Sequence, residues 1–295
     1  VTATTLALLA ALACALLWAV FDALRKRLVG HVAPLPLTCI LAIGQTPLYL
    51  AWAWLDGFAA PEAAYVGPGI AVWAVNMIAN LLFFESLRRA DLSASVPLLA
   101  LTPVFAALMA ASWLDEVLSA KEIAGVLLVV GGAIGMHGVR TLLKANVDGD
   151  GSTTRNARVG ALLMAVVAAL WAATAAFDKL SMQHSTIAMH AFLQAAALAV
   201  SLVVWLLVVG RLRELRDVTA VQGSFVAGVI VAAVALGLQL FAVMGAYVGV
   251  VEAIKRAVGA IAALLLGRIF FAETIGRRRV LAVLAMAIGV WLVAA

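Results

Sequence analysis

The sequence predicts an all-α polytopic membrane protein, with ten transmembrane helices arranged as two inverted five-helix repeats. Three observations carry that prediction. Hydrophobic residues make up 66% of the 295 positions and charged residues only 12%, about half the charged share that covers a soluble domain. The apolar residues come in blocks near the roughly 20 residues needed to cross a bilayer, without the alternation of β-barrel strands. Finally, the two halves of the chain resemble each other. A mean hydropathy of +1.13 excludes a soluble enzyme, a disordered chain and a nucleic-acid-binding domain, despite the basic pI of 9.6. The bilayer is the expected solvent.

With polar clusters, Gly and Pro as punctuation, the spans run over residues 4–23, 35–55, 66–87, 92–114, 121–139, 159–180, 187–209, 221–246, 249–271 and 279–294. The first block has no basic residue ahead of it, and Ala11-Leu12-Ala13-Cys14 is a poor lipoprotein cleavage site. It therefore reads as a retained helix rather than a leader. Cys14 and Cys39 both lie inside apolar blocks, which implies no disulfide framework. Residues 140–158, RTLLKANVDGDGSTTRNAR, form the polar linker between a first repeat (1–139) and a second (159–295). Within it Asn146, Asp148, Asp150 and Gly151 imitate the start of a calcium loop, but Ala157 stands where the closing Glu is needed. A flexible linker is the better account.

The duplication is read by sliding the sequence on itself. A shift of 157 places the stretch from Ser112 to Glu116 on that from Ile269 to Glu273, and Gly132 on Gly289. A shift of 153 places Leu17-Trp18-Ala19 on Leu170-Trp171-Ala172. One loop insertion explains the difference. Because five is odd, the second half enters the membrane from the opposite side, and such inverted repeats characteristically build secondary transporters with a midplane site.

The Ala15-Leu16-Leu17-Trp18 block, Leu170-Trp171, and the run LTPVFAALMAASWLDEVLSAKEIAGVLLVVGGAIG from Leu101 to Gly135 resemble the EamA type of the drug/metabolite transporter (DMT) superfamily. The second copy keeps Glu273 and Gly289 but has Ala260 where the first has Pro103. The resemblance covers nearly the whole chain. It implies two EamA-like repeats forming a ten-helix carrier, not an enzyme, with a central cavity lined mainly by helices 3, 4, 8 and 9. The superfamily handles amino acids, nucleotide sugars, amines and drugs, so the resemblance names no substrate.

Orientation follows from basic residues near the span ends. Loops after odd-numbered spans hold 16 of the 20, against Lys121 and Lys179 after even-numbered ones. This predicts both termini outside the cytoplasm, whereas relatives are usually drawn with both inside. The expected location is a bacterial cytoplasmic membrane.

Charge at membrane depth costs about 2.5–3.5 kcal/mol on insertion scales and so needs a reason. Glu252, Lys255 and Arg256 stand three and four residues apart on one side of helix 9. The matching stretch of helix 4, Ser95-Val96-Pro97-Leu98-Leu99, carries no charge. On one reading Lys255 or Arg256 binds a carboxylate or phosphate while Glu252 balances the pair or carries a proton. On the other, Glu252 neutralises one cation and the second snorkels to the interface.

Asn76 and Asn80 share a face of helix 3, as a substrate-facing amide pair or as interhelical glue. Gln239, Trp18 and Trp171 complete the candidate binding or coupling residues. Asp22 reads as a counter-ion to Arg25-Lys26-Arg27, and Glu85 as one to Arg88 and Arg89. His190 reads as a hydrogen-bonded packing residue that could also report pH. Glu116 and Glu273 read as structural hairpin carboxylates at helix ends. Trp52, Trp54 and Trp113 read as a headgroup belt. Gly131-x-x-x-Gly135 serves either a homodimer or packing within the chain.

There is no GxxxxGK[ST] phosphate loop, no His/Cys cluster at metal spacing and no nucleophile elbow. Neither cofactor nor metal is expected. The sequence thus points to secondary-active or facilitative transport, by alternating access, of a small polar metabolite that is anionic or zwitterionic. A flippase for a lipid-linked or amphiphilic phosphate-bearing molecule is the alternative within transport, and a non-transporting membrane scaffold is the alternative outside it. The expected partners are a small-molecule substrate and the lipid bilayer, without nucleic acid.

Overall fold

The computed structural model describes residues 2–29, 31–89, 96–137, 151–271 and 276–294. Among them there is no strand, and ten α-helices follow in order. These are α1 (Ala3–Val29), α2 (Pro34–Leu55), α3 (Val66–Arg89), α4 (Thr102–Trp113), α5 (Ala120–His137), α6 (Gly151–Met182), α7 (Ile187–Val208), α8 (Gln222–Gly245), α9 (Val248–Phe271) and α10 (Arg277–Ala294). Six stretches are long and apolar enough to cross a membrane: Ala3–Arg25, Pro34–Leu55, Ala63–Ser86, Arg158–Met182, Ile187–Val208 and Gln222–Gly245. The architecture is that of a polytopic membrane protein.

Local chemistry sets the helix ends. Pro34 opens α2, where its missing N–H costs nothing. Ser119 and Glu122 form a reciprocal capping box at the start of α5, at 2.7 and 3.3 Å. Thr186 caps α7 by accepting from the Met189 amide.

Two boundaries depart from expectation. The fourth span, expected over 92–114, begins among the described residues as a 3-10 segment, Val96–Leu101, and turns α-helical only at Thr102. Pro97 and Pro103 remove the amides that a continuous α ladder would use, and Pro103 is tolerated in the first turn of α4. Residues 151–158, expected in the linker, are instead the first turns of α6; they contain no proline to stop the helix. The remaining linker residues, including Arg140, Lys144, Asn146, Asp148 and Asp150, lie outside the described residues, as do Glu273 and the side chains of Lys26, Arg88, Arg155 and Arg268.

The most extensive packing pairs are α3 with α6, α5 with α10, α1 with α8 and α2 with α7; α4 lies along α9 and α1 along α9. The buried faces are rich in small side chains such as Ala7, Ala11, Ala172, Ala176, Ala235 and Ala242, which let helices approach where lipid offers no hydrophobic contrast. Large apolar residues such as Leu108, Leu162 and Leu281 point outward.

A close, reciprocal approach joins α5 and α10. A Cβ added at Gly125 would lie 2.7 Å from the Gly289 carbonyl, and one at Gly289 would lie 2.7 Å from the Gly125 carbonyl. Gly132 meets Met286 and the Ala282 carbonyl. Gly131 and Gly135 contact nothing at their missing Cβ and line an open groove of about 330 Å³ with Gly132, Leu128 and Arg278. Packing within the chain therefore uses Gly125, Gly132 and Gly289 rather than Gly131 and Gly135. Trp54 and Trp113 stay exposed near their helix ends, as a belt requires, while Trp52 turns inward onto Gly237.

Candidate functional site

The charged face of α9 lies toward α1 and α4. Glu252 is buried and accepts from Lys255 Nζ at 2.6 Å, so the acid settles on the cation three residues on rather than on Arg256. Lys255 is partly buried. Arg256 neither joins that pair nor snorkels: its Nη2 donates to Thr102 Oγ1 of α4 at 3.1 Å, and that hydroxyl donates onward to the Leu99 carbonyl at 2.7 Å. Arg256 Nε is buried with no hydrogen-bond partner among the described residues.

On the facing side, Cys14, Trp18 and Asp22 of α1 recur every fourth residue and so share one stripe. Cys14 lies within electrostatic range of Lys255 and Glu252. Trp18 Nε1 donates to Gln239 Oε1 of α8 at 3.0 Å, which joins two of the predicted residues. Asp22 interacts electrostatically with Arg256, although its carboxylate is exposed and held by Arg25 at 2.9 Å. The Glu252–Lys255 pair is internally neutral, and Arg256 is left with donor capacity to spare. A guanidinium with an unmet N–H is suited to an anionic oxygen.

The other predicted residues fall elsewhere. Asn80 Nδ2 donates to the Asn76 carbonyl at 2.8 Å and to Asn76 Oδ1 at 3.0 Å, so the pair engages itself along α3. Trp171 of α6 packs on Phe83 of α3, with ring centroids 5.4 Å apart. Two surface clefts, one of about 490 Å³ beside Leu212, Arg213 and Arg216 and the groove along α5 and α10, both lie away from α9.

A second polar assembly gathers where α4 and α6 end and where α3, α7 and α9 begin. Glu116 pairs with Lys179 and accepts from the Val248 amide at 2.8 Å; Lys179 also donates to the Ala246 carbonyl at 2.8 Å. The hairpin role of Glu116 stands, but its physical setting differs from expectation. The carboxylate is only 6% exposed, so it is held by a cation and a helix N-terminus rather than by water. Next to Lys179, Asp178 meets His190 Nε2 at 3.0 Å, and His190 Nδ1 meets the Tyr65 hydroxyl at 3.0 Å. Gln194 Nε2 donates to both Tyr65 Oη at 3.2 Å and the Gly69 carbonyl at 3.0 Å. Nearby, Glu62 and His184 contact each other at 3.0 Å.

Thr102, Cys14 and Tyr65 were not singled out from the sequence. The four-residue stripe on α1 was available as a signal for Cys14. No local pattern marks Thr102 or Tyr65, whose partners lie 154 and 125 residues away. Outside the spans, Arg211 bonds Glu214 at 2.5 and 2.8 Å and holds that carboxyl below the usual carboxylate range.

Comparison with known proteins gives a family likeness for the first part of the chain and a fold likeness for nearly all of it. Residues 5–137, which hold α1 to α5, match the EamA-like transporter family. A protein of known crystal structure superposes with a TM-score of 0.72, covering 97% of this chain and 96% of its own length at 18% identity. That identity speaks for the fold alone, which 29 chains of solved structures share. No curated protein matches the sequence. Over its first five helices, then, the chain is similar to the EamA-like transporter family.

Proposed function

We propose that the chain is a secondary-active or facilitative transporter of a small polar metabolite bearing an anionic group, and that Arg256 is the group that receives the anion. One observation carries the reading: inside the helix bundle Arg256 is fixed to Thr102 through Nη2 while its buried Nε has no partner among the described residues. An unmet charged donor in that environment is costly, and a ligand oxygen would satisfy it. Glu252 keeps Lys255 neutralised, so a single positive charge remains to be matched.

The reading includes two inverted five-helix repeats that rock about the α9 region. The packing pattern supports it. Exchanging each helix for the one five places along turns the pair α1–α8 into α6–α3, and maps α2–α7, α4–α9 and α5–α10 onto themselves. The basic bias places both termini outside the cytoplasm of a bacterial cytoplasmic membrane.

A thermal-shift screen of carboxylates and phosphates on the purified protein is the test, followed by uptake of any hit into proteoliposomes. A ligand at 100 times its Kd stabilises the native state by about 2.7 kcal/mol. Arg256→Leu is expected to lose both the shift and the uptake while remaining folded. Unimpaired uptake by that variant would remove the assignment.

A further inference from the structure

The Asp178–His190–Tyr65 assembly joins the two halves of the chain, with Tyr65 ahead of α3 and with Asp178 and His190 on α6 and α7. Its hydrogens can be placed from the contacts alone. Gln194 Nε2 lies 3.0 Å from the Gly69 carbonyl, an acceptor only, so this end of the amide is the NH2 group. The same nitrogen therefore donates to Tyr65 Oη. The phenol's own hydrogen is then free for one acceptor, and His190 Nδ1 is the group at 3.0 Å. With Nδ1 accepting, the imidazole hydrogen sits on Nε2 and is donated to the Asp178 carboxylate at 3.0 Å. Every one of these donors has an acceptor, and the imidazole is neutral.

Adding a proton changes the count. A hydrogen on Nδ1 would aim a second donor at Tyr65 Oη, beside Gln194, and the phenol's hydrogen would lose its acceptor. His190 is 1% exposed, so water does not relieve the mismatch while the contact is closed. Asp178 retains its bond, so the link that gives way is the one to Tyr65, across the two halves.

The surroundings leave the imidazole to answer to these groups. Asp178 faces it from α6 and Tyr65 from the segment before α3. Lys179 is turned to Glu116, and Glu62 pairs with His184 at the same end. Of the other elements against α7, α2 and α8 contain no Asp, Glu, Lys, Arg or His; α3 has Glu85, Arg88 and Arg89 only toward its far end, and the 3-10 segment Leu212–Val221, with Arg213, Glu214, Arg216 and Asp217, follows the opposite end of α7 from His190. Imidazole is the side chain whose ordinary titration falls between pH 5 and 8.

We infer that His190 is a proton-binding site whose occupation releases Tyr65 and opens the end of the molecule where α6 and α7 meet, coupling transport to protons. The inference rests on the transport reading, because a proton-operated opening has a use only in a carrier. The chemistry is one protonation, with a proton from water adding to Nδ1 and no other covalent bond changing.

Ser181 supplies a reporter. It lies one turn beyond Asp178 on α6 and is fully buried. Ser181→Cys, in a Cys14→Ala and Cys39→Ala background, is reacted in proteoliposomes with a water-soluble maleimide. Each rate is divided by that of glutathione at the same pH to remove thiolate chemistry. Between about pH 8 and about pH 5.5 the normalised rate is expected to rise about tenfold. His190→Gln is expected to abolish the dependence on pH, and Tyr65→Phe to give fast labelling at both extremes. A flat parent profile, or a slope unchanged in His190→Gln, would overturn the proton site. If His190→Gln does not fold, Tyr65→Phe decides: a parent-like slope overturns the proposal, and fast, flat labelling supports it. No substrate enters this measurement, so its failure leaves Arg256 untouched, and failure of the Arg256 test leaves the labelling profile untouched.

Discussion

Two buried polar assemblies stand out among the described residues, and they differ in whether a charged donor is left unmet; at the α6–α7 end only the neutral hydroxyls of Ser181 and Ser185 lack a partner among those residues. Around α9, Glu252 and Lys255 neutralise each other while Arg256 retains a buried donor without an acceptor. Where α6 meets α7, the hydrogens of Tyr65, His190 and Gln194 all find acceptors, and Glu116 holds both Lys179 and the first amide of α9. A saturated network favours the arrangement that saturates it and resists change. An incomplete one gains from a newcomer. The contrast assigns a holding role to one end of the bundle and a receiving role to α9.

Substitutions can break or sharpen that contrast. The largest effect is expected from Glu116→Ala, which strands the mostly buried Lys179 and uncaps α9. Removing one partner of a buried pair costs about 3–5 kcal/mol, read as loss of thermal stability in detergent. A variant as stable as the parent would show that this end is not held by its charges. Glu252→Gln weakens the hold on Lys255 at the lower end of that range, since the amide oxygen can still accept from Nζ and no helix is uncapped; the same melting experiment ranks the two. Tyr65→Phe removes two hydrogen bonds, those of Oη with His190 and Gln194, without stranding a charge, and about 0.5–1.5 kcal/mol is expected for each. The smallest effect belongs to Glu214→Gln. Glu214 is held below the ordinary carboxylate range by Arg211, so whatever it contributes is present above the ordinary carboxylate pKa and fades as pH falls through the lowered value. On an open surface, solvent screens the pair, and the melting temperature at neutral pH should not move.

The helices were legible in the sequence because lipid imposes one strong rule: long apolar blocks separated by polar punctuation. Boundaries failed where backbone chemistry overrode hydropathy. Pro97 and Pro103 delay the start of α4, and the polar run after Gly151 turns helical ahead of its apolar core. For the site, spacing on a single helix correctly placed Glu252, Lys255 and Arg256 together, yet could not choose between two cations three and four residues away. It also could not foresee that Arg256 would find Thr102, because helical periodicity specifies a face and not the helix that covers it. Asn76 and Asn80 illustrate the converse. Their four-residue spacing is real, and the side chains spend it on each other.

The reciprocal glycines of α5 and α10 have a mechanical consequence. Gly125 and Gly289 each leave beside the other's carbonyl a space too small for a methyl group, with Val293 and Val129 flanking the contact, so the two helices mesh like teeth. Sliding or tilting one helix against the other would drive backbone into backbone. The pair is therefore expected to move as a single post, about which the proposed rearrangement around Arg256 would turn.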